Sequence, residues 1–184
     1  MKAVAIFSKH GKIIFKKDPN NNECMVYFDL VRFKPFSTHA IHIHEWGDTT
    51  NGCTSLGGHY NPTGQKHGNL LSKERHVGDL INNFTTDKYG CFSCCFIDKH
   101  ININDIYGRS VVIHELVDDL GLEGLYGTKY RDMPNDELMR LCQEREYTGL
   151  PTKVSRILKL DQESKKTGNA GKRLDCAVIG RMAS

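Results

Sequence analysis

The chain lacks any long hydrophobic run. Its opening, MKAVAIFSKHGK, alternates apolar with polar residues and is interrupted by Lys9 and His10, so it contains no continuous apolar segment of the kind found in signal peptides. With 39% hydrophobic residues over 184 positions, the chain can build one core without a membrane span. We therefore expect a cytoplasmic protein without a membrane partner.

A strong excess of either charge is also missing. The 25 basic and 22 acidic side chains are mixed along the sequence and leave a net charge of +3. This mixture is typical of a solvated surface, and no nucleic-acid-binding module is visible. Nucleic acid is thus not expected as a partner, and the length favours a single domain over residues 1–184.

Short runs of β-forming residues, separated by turn residues, fill most of the chain. Turn signals such as His10-Gly11 and Asp87 to Gly90 stand between them. Eight such runs are typical of an all-β, antiparallel sandwich or flattened barrel. We predict strands at Lys2 to Phe7, Lys12 to Phe15, Cys24 to Val31, Thr38 to Trp46, Gly78 to Phe84, Gly90 to Ile97, Ser110 to Glu115 and Leu174 to Arg181.

Two connections between these runs are too long for ordinary hairpins: Gly47 to Val77 and Leu116 to Arg173. Long ordered loops usually carry function. Within the second, Pro134 to Tyr147 is predicted as a short helix, because Pro134 suits a helix start and Pro151 follows its end. We expect this helix to be structural, with gating of the site or contact with a partner as the alternative.

Six of the nine histidines lie at spacings that indicate metal binding. His42 and His44 are separated by one residue, so on a strand both side chains point to the same face and can bind one ion. Alone, such a pair is more often one polar face of a strand, but four more histidines and an aspartate follow: His59, His67, His76, Asp79 and His114. Three histidines and an aspartate suit tetrahedral zinc and four imidazoles suit copper, so seven ligands imply two metals and one shared histidine.

Several ordered blocks of sequence resemble the copper,zinc superoxide dismutases. They are HIHEWGDTTNGCTSLGGHYNP at residues 42–62, KHG, RHVGD, GRSVVIHELVDDLG and KTGNAGKRLDCAVIG. The resemblance covers about Thr38 to Gly121 and Lys165 to Gly180, and is weak or absent elsewhere. It implies an eight-stranded Greek-key barrel whose second long connection is the family's electrostatic loop, with an insertion at about 122–164. This enlargement indicates a divergent form of the family, and a large DNA virus is a candidate source.

The resemblance also implies the metal ligands. Four histidines are implied to bind copper: His42, His44, His59 and His114. Three histidines and an aspartate are implied to bind zinc: His59, His67, His76 and Asp79. His59 would bridge the two ions and act in catalysis, while Asp118 would accept hydrogen bonds from the outer nitrogens of His42 and His67. One copper and one zinc per chain are therefore expected, with copper as the redox centre because zinc does not change its charge.

The implied reaction is the dismutation of superoxide to O₂ and H₂O₂, with the bridging histidine delivering a proton to the peroxide product. Arg173 matches the arginine that binds the superoxide anion beside copper. Thr167 would narrow the substrate channel, and Lys166 and Glu163 match charged positions that steer the anion. Leu116 stands where many members have a lysine, so the steering field departs from the family pattern.

Seven cysteines in a cytosolic chain would ordinarily be reduced thiols. The resemblance makes one exception, because Cys53 and Cys176 occupy the positions of the family's single intrasubunit disulfide. The remaining five are expected to be free thiols: Cys24, Cys91, Cys94, Cys95 and Cys142.

A homodimer is also implied, with contacts at Trp46-Gly47, Tyr107-Gly108 and Val178-Ile179. Arg181 follows where an apolar residue is common, so the edge of that interface is expected to be altered or to pair the charge. A copper chaperone is a candidate partner of the same protein.

Two other functions compete with the enzyme. The first is a superoxide-dismutase-like binding protein, either a copper-delivery domain or a decoy that sequesters a copper chaperone. The second is a purely structural zinc domain, which would leave three of the histidines without a task. The complete set of copper histidines together with Arg173 favours the enzyme.

Overall fold

The computed structural model describes residues 1–20, 23–121 and 162–183. Eight strands dominate this part of the chain: β1 (Lys2–Ile6), β2 (Gly11–Lys17), β3 (Cys24–Leu30), β4 (Thr38–His44), β5 (Asn82–Thr85), β6 (Phe92–Asp98), β7 (Ser110–His114) and β8 (Arg173–Arg181). All neighbours are antiparallel and follow the order β5-β4-β7-β8-β1-β2-β3-β6 in a nearly closed barrel. The crossings from β3 to β4 and from β6 to β7 give Greek-key connectivity, so the predicted all-β fold is confirmed.

The other regular elements are short. Two 3₁₀ turns, Gly52–Ser55 and Val77–Asp79, lie in the first long connection, and α1 (Ile103–Ile106) follows β6. Residues 162–167 are helical. No helix among the described residues is long and apolar enough to cross a membrane. The predicted helix from Pro134 to Tyr147 and most of the predicted insertion lie outside the described residues.

Seven predicted strands agree with the structure to within two residues at each end. The prediction of a strand beginning at Gly78 was wrong, because residues Val77–Asp79 form a 3₁₀ turn and β5 begins only at Asn82. Leu80 has a φ of 41°, a left-handed backbone conformation that turns the chain before the strand. The apolar residues Val77 and Leu80 are therefore buried in a turn and not in a strand.

The strands β1, β2 and β3 alternate between core and solvent. Along β2, Ile13 and Phe15 are buried in the core, whereas Lys12 and Lys16 are exposed. β1 and β3 show the same period of two. This alternation is typical of an antiparallel sheet with one face packed and the other in water.

β4 and β7 differ because they are buried on both faces. Ile41 and Ile43 of β4 point into the core, while His42 and His44 point to the outer side and are still buried. The first long connection covers that outer side. It is attached there by the backbone N–H of Tyr60, which donates to the carbonyl oxygen of Ile43 at 2.8 Å.

The pairing of β7 with β8 is irregular at its end. Ile113 lies opposite Asp175, whereas His114 lies opposite Arg173, so Leu174 is an extra residue on β8. Such a β-bulge bends the strand and re-aims its side chains. The bulge brings the positions of His114 and Arg173 face to face at the end of the two strands.

Cys53 of the first long connection and Cys176 of β8 form a disulfide whose Cα atoms are 5.8 Å apart. The predicted disulfide is therefore confirmed, and it ties this connection to the last strand. Four of the five cysteines predicted as thiols are free: Cys24, Cys91, Cys94 and Cys95. Cys142 lies outside the described residues.

Candidate metal centre

The first cluster of ligand atoms lies on the outer side of β4 and β7. It is formed by His42, His44, His59 and His114, whose donor atoms all lie within 4.8 Å of one another. His59 enters from the first long connection, where it forms a backbone bridge with His44. The Nε2 atoms of His44 and His114 are 3.4 Å apart. All four side chains are buried.

Two atoms of this cluster are buried without a hydrogen-bond partner within the described part of the chain: His42 Nδ1 and His59 Nε2. Buried polar atoms nearly always have a hydrogen-bond partner, so two unpaired nitrogens in one cluster indicate that both can bind a metal ion. The outer nitrogens of the other two rings face backbone oxygens, with His44 Nδ1 3.0 Å from Gly57 O and His114 Nδ1 3.4 Å from Gly171 O. Four inward nitrogens thus remain for one ion, and four imidazoles fit copper.

A second cluster shares His59 and adds His67, His76 and Asp79, again within 4.8 Å. Asp79 Oδ1 lies 3.2 Å from His59 Nδ1, 2.9 Å from His67 Nδ1 and 3.1 Å from His76 Nδ1. Tetrahedral zinc with ligands at about 2.0–2.1 Å separates those ligands by about 3.3 Å. The donor set and its spacing therefore fit zinc.

The 3₁₀ turn at Val77–Asp79 fixes the aspartate of this cluster. Asp79 Oδ2 accepts hydrogen bonds from the backbone N–H groups of His76 at 2.8 Å and Gly68 at 3.1 Å. Its other oxygen is left to face the three imidazoles. His76 and Asp79 are only three residues apart, and the turn between them directs both side chains to the same point.

Asp118 joins the two clusters. Its Oδ2 lies 2.6 Å from His42 Nε2 and its Oδ1 lies 2.8 Å from His67 Nε2, so one carboxylate contacts a ring from each cluster. Asn82 Nδ2 donates to Oδ2 at 2.9 Å. Gly168, with a φ of +66°, packs so closely that a Cβ there would overlap Asp118 Oδ1. These contacts fix the carboxylate and, through it, the orientation of both rings.

Burial keeps all four histidines of the first cluster neutral, and it lowers the pKa of His44 well below its ordinary value. It lowers the pKa of His42 to about 4, of His59 to about 3 and of His114 to about 4. Neighbouring imidazoles add to the effect, with His42 acting on His59 and His59 acting on His114. Neutral imidazole is the form that binds metal ions, so these ligands are ready for binding at neutral pH.

His67 behaves in the opposite way. Burial alone would lower its pKa, but hydrogen bonds to Asp118 and Asp79 outweigh burial and raise the pKa to about 9. Burial would raise the pKa of each carboxyl group, yet the hydrogen bonds from the histidines hold both pKa values below their usual range. Both carboxylates are therefore charged at neutral pH.

A cavity of about 240 Å³ opens onto the first cluster. Arg173 lines it together with His44, His59 and His114. The guanidinium donates from Nη1 to Cys53 O and from Nη2 to Gly57 O, both at 2.5 Å. These bonds hold a fixed positive charge at the wall of the cavity.

Two of the three predicted channel residues also line this cavity: Glu163 and Thr167. The hydroxyl of Thr167 donates to Glu163 Oε1 at 2.6 Å. Lys166 is exposed and lies outside the lining. Leu116 is 53% exposed and packs near Gly171, so it places an apolar surface beside the cavity mouth.

Several residues that support the site were not predicted. His39 lies with Nδ1 3.0 Å from His114 O and Nε2 3.0 Å from Ser37 Oγ. Asn83 accepts from the backbone N–H of Asp118 at 2.8 Å. Asp119, which had no predicted role, accepts from Ser164 Oγ at 2.8 Å and from Asn169 Nδ2 at 2.6 Å. Only His39 gave a sequence signal, because it precedes His42 on the same strand; the amides and hydroxyls gave none.

Comparisons with known proteins agree with this geometry. The family model of copper/zinc superoxide dismutase matches residues 9–134. The Cu-Zn superoxide dismutase of Cryptococcus neoformans var. grubii is 35% identical over 93% of this chain and 89% of its own length. That of Paramecium bursaria Chlorella virus 1 is 35% identical over 97% of this chain and 77% of its own.

A solved structure is similar as well. The crystal structure of the clock protein EA4 superposes with a TM-score of 0.72 and 29% identity, covering 98% of this chain and 94% of that chain. The family match extends over more than half of the residues, and the relatives are aligned over nearly the whole chain. The chain therefore belongs to the copper/zinc superoxide dismutase family.

Proposed function

We propose that this protein is a superoxide dismutase that uses one copper and one zinc ion per chain. The observation that carries the proposal is the pair of buried clusters that share His59, because it provides donors for two ions at one site. Copper would be held by His42, His44, His59 and His114, and zinc by His59, His67, His76 and Asp79. When bound, copper supplies one-electron redox chemistry, so that one superoxide is oxidised to O₂ and a second, with two protons, is reduced to H₂O₂.

Arg173 is proposed to bind the substrate. Its charge lines the same cavity as three of the copper-site histidines and is anchored by two backbone carbonyls. A small anion entering this cavity meets the guanidinium where burial has reduced the screening by water. Thr167 and Glu163 narrow the entrance, since their side chains are hydrogen-bonded to each other at the cavity wall.

His59 is proposed to handle a proton. Its Nε2 faces the cavity side of the cluster and has no partner among the described residues, whereas Nδ1 faces Asp79. A proton held at Nε2, while Nδ1 stays on the zinc side, could be given up to a peroxide product, which is general acid chemistry by an imidazole. Zinc bound by His59 and Asp79 would keep the ring in place while the proton moves.

The test is metal analysis of the purified protein combined with a superoxide assay. We expect one copper and one zinc per chain and turnover of superoxide that disappears when copper is removed and returns when it is restored. Full metal content without turnover would identify a metal-binding relative of the enzymes instead. Zinc content alone, with copper refused, would indicate a structural zinc domain.

We further propose that the protein forms a homodimer through the surface around Trp46, Gly47, Gly108 and Val178. Trp46 is 58% and Val178 41% exposed, and Gly47 packs against the carbonyl of Gly108 and the side chain of Val178. The predicted contribution of Ile179 needs correction, because its side chain is buried in the core. The charge of Arg181 lies over the Tyr107 ring of the same chain, 5.5 Å from the centroid.

The dimer is tested by light scattering on the purified protein. We expect twice the chain mass for the wild type and a single chain mass for Val178→Arg, which places an unpaired charge on an apolar contact. An unchanged mass for that variant would move the interface elsewhere. A cytoplasmic location and loading by a copper chaperone stay predictions, to be tested by cell fractionation and by co-expression with a chaperone.

A further inference from the structure

A carboxylate occupies an inward position of β8 where an apolar side chain is expected. Asp175 precedes Ala177 and Ile179, which alternate with it and are buried in the barrel. Its side chain is 11% exposed, so it has lost most of its water. A buried carboxylate costs stability unless it is hydrogen-bonded, and such departures from the local pattern are expected at functional positions.

His10 is the partner of this carboxylate. It lies in the turn between β1 and β2, and its Nδ1 is 2.7 Å from Asp175 Oδ2. The second oxygen of Asp175 accepts from the backbone N–H of Cys176 at 2.8 Å. Asp175 is thus attached both to a distant turn and to its own strand, immediately after the bulge at Leu174.

The ring of His10 packs in turn against an aromatic ring. Its centroid is 4.4 Å from that of Phe33, and the centroid of Phe33 is 5.2 Å from that of His39. His39 contacts the carbonyl oxygen of His114 at 3.0 Å. Three rings in contact therefore connect Asp175 of β8 with His114 of β7, which lie on the two strands at the bulge.

The bulge determines where Arg173 points. Its guanidinium bonds to two carbonyls of the first long connection, but its backbone is set by β8, which begins at this residue. A strand end with an extra residue has a weakened ladder. The contact between His10 and Asp175 supplies a side-chain attachment two residues from Arg173.

We propose that His10, acting through Asp175, is a positioning residue for Arg173. Loss of this hydrogen bond would let the bulge relax and would misplace the guanidinium relative to the anion. The proposal rests on the proposed function of Arg173 in anion binding. Neither His10 nor Asp175 is among the residues proposed to bind copper or zinc.

The test uses the fully metal-loaded protein and azide, a small monovalent anion, as the probe. Azide affinity is measured by absorption of the oxidised protein and kcat/KM is measured for superoxide. We expect His10→Leu, which keeps an apolar contact with Phe33, to weaken azide binding and lower kcat/KM by about tenfold at unchanged metal content. His10→Asn, which keeps a donor near the Nδ1 position, should restore most of both values.

Three further variants separate positioning from stability. Ile13 is buried in β2, which does not pair with β7 or β8 among the described strands. The substitution Ile13→Val should therefore lower the melting temperature without changing azide affinity. In an Arg173→Ala background, His10→Leu should have no additional effect on azide affinity. Asp175→Asn keeps the shape of the partner and provides a second way to weaken the contact if His10→Leu does not fold.

A lower melting temperature with unchanged azide affinity and kcat/KM in both His10→Leu and Asp175→Asn would overturn the proposal and leave a purely structural contact. An effect of His10→Leu that persists fully without Arg173 would overturn it as well. If the wild-type protein did not turn over superoxide, the proposed function would fail, whereas the azide measurements would still decide whether His10 positions the arginine.

Discussion

The strands β2 and β4 use the same two-residue alternation to opposite effect. In β2 the inward face carries Ile13 and Phe15 and the outward face carries lysines that remain in water. In β4 the inward face is equally apolar, but the outward face carries His42 and His44, which the first long connection buries. The comparison indicates that the barrel supplies stability from its interior while the chemistry is assembled on its outer side. Changes to the two faces should therefore separate function from folding.

The sharpest separation is expected for His114→Ala. This change removes one copper ligand from the outer side of the site strands and leaves all four proposed zinc ligands in the chain. Copper and superoxide turnover should be lost, while zinc content and the β-sheet circular dichroism spectrum should be retained. Metal analysis and activity at matched protein concentration provide the measurement. Full activity in copper-free His114→Ala protein would refute the assignment of the site.

The converse change is Phe15→Ala in β2. The ring is fully buried in the core, so truncation should lower the free energy of unfolding by about 3–5 kcal/mol. Metal content and activity per folded molecule should stay near those of the wild type, because β2 carries no ligand. Urea unfolding and metal analysis test this together. Copper loss at a temperature where the variant is still folded would contradict the separation of core from site.

The pH dependence of the metal-free protein should reveal the cost of burying the histidines. His42, His59 and His114 have folded pKa values of about 4, 3 and 4, below the unfolded value of 6.5. The unfolded chain therefore binds more protons as pH falls below 6.5, and stability present above 6.5 is lost on acidification through pH 4. The pKa of His67, about 9, is raised, so its contribution is complete below pH 6.5 and is lost as pH rises through 9.

We expect the stability of the metal-free protein to be greatest near pH 6.5 and to fall more steeply on the acidic side, by on the order of a few kcal/mol. On that side four imidazoles act against one, because burial also lowers the pKa of His44. Urea midpoints of chelator-treated protein at pH 4.5, 6.5 and 9 provide the test. Equal midpoints at all three values would show that these rings are not held neutral by the fold.

Asp118→Asn should weaken both metal sites at once. The carboxylate contacts His42 and His67, one from each cluster, and an amide can accept from only one of them. Affinities for copper and zinc are each expected to fall by about 10–100-fold, measured by competition with a chelator. Asp119→Asn is the matched control, because that neighbouring carboxylate contacts Ser164 and Asn169 and, within the described part of the chain, no metal-site histidine. A loss confined to one metal would show that Asp118 does not couple the clusters.

The smallest contrast concerns two adjacent cations, Arg173 and Lys172. Arg173→Glu should lower kcat/KM by at least about tenfold by repelling the anion, whereas Lys172→Glu, at an exposed position, should change it little. Added salt should slow the wild type more than Arg173→Glu, because screening weakens an attraction that the variant has lost. Equal loss in the two variants at matched copper content would favour a diffuse surface field over a docking residue.

Strand positions could be predicted from the sequence because alternation and turn residues are local signals. The start of the strand predicted from Gly78 was wrong for a local reason too. In a sequence, buried apolar residues in a 3₁₀ turn look the same as those of a short buried strand. The resemblance to the family, with its histidine spacing, predicted a set of candidate ligands that the structure brings together. The disulfide between Cys53 and Cys176 was implied by that resemblance alone.

The residues around the ligands could not be predicted in the same way. Asn82 and Asn83 reach Asp118 only because β5 lies beside β4 in the sheet, and a single amide in a sequence does not indicate its partner. His10 and Asp175 are separated by 165 positions and meet only after β1 and β8 have paired. Contacts of this kind depend on tertiary structure, so no local pattern announces them.

Gly168 shows that a position can be indispensable without donating any atom to the chemistry. It has a left-handed backbone conformation and packs where any Cβ would meet the carboxylate of Asp118 and the ring of His67. Even alanine would have to displace the group that orients both clusters. If residues 165–172 were randomised and active clones selected, Lys166, whose side chain is exposed, should tolerate many side chains. At position 168 only glycine should be recovered, because any side chain would occupy the space of the Asp118 carboxylate.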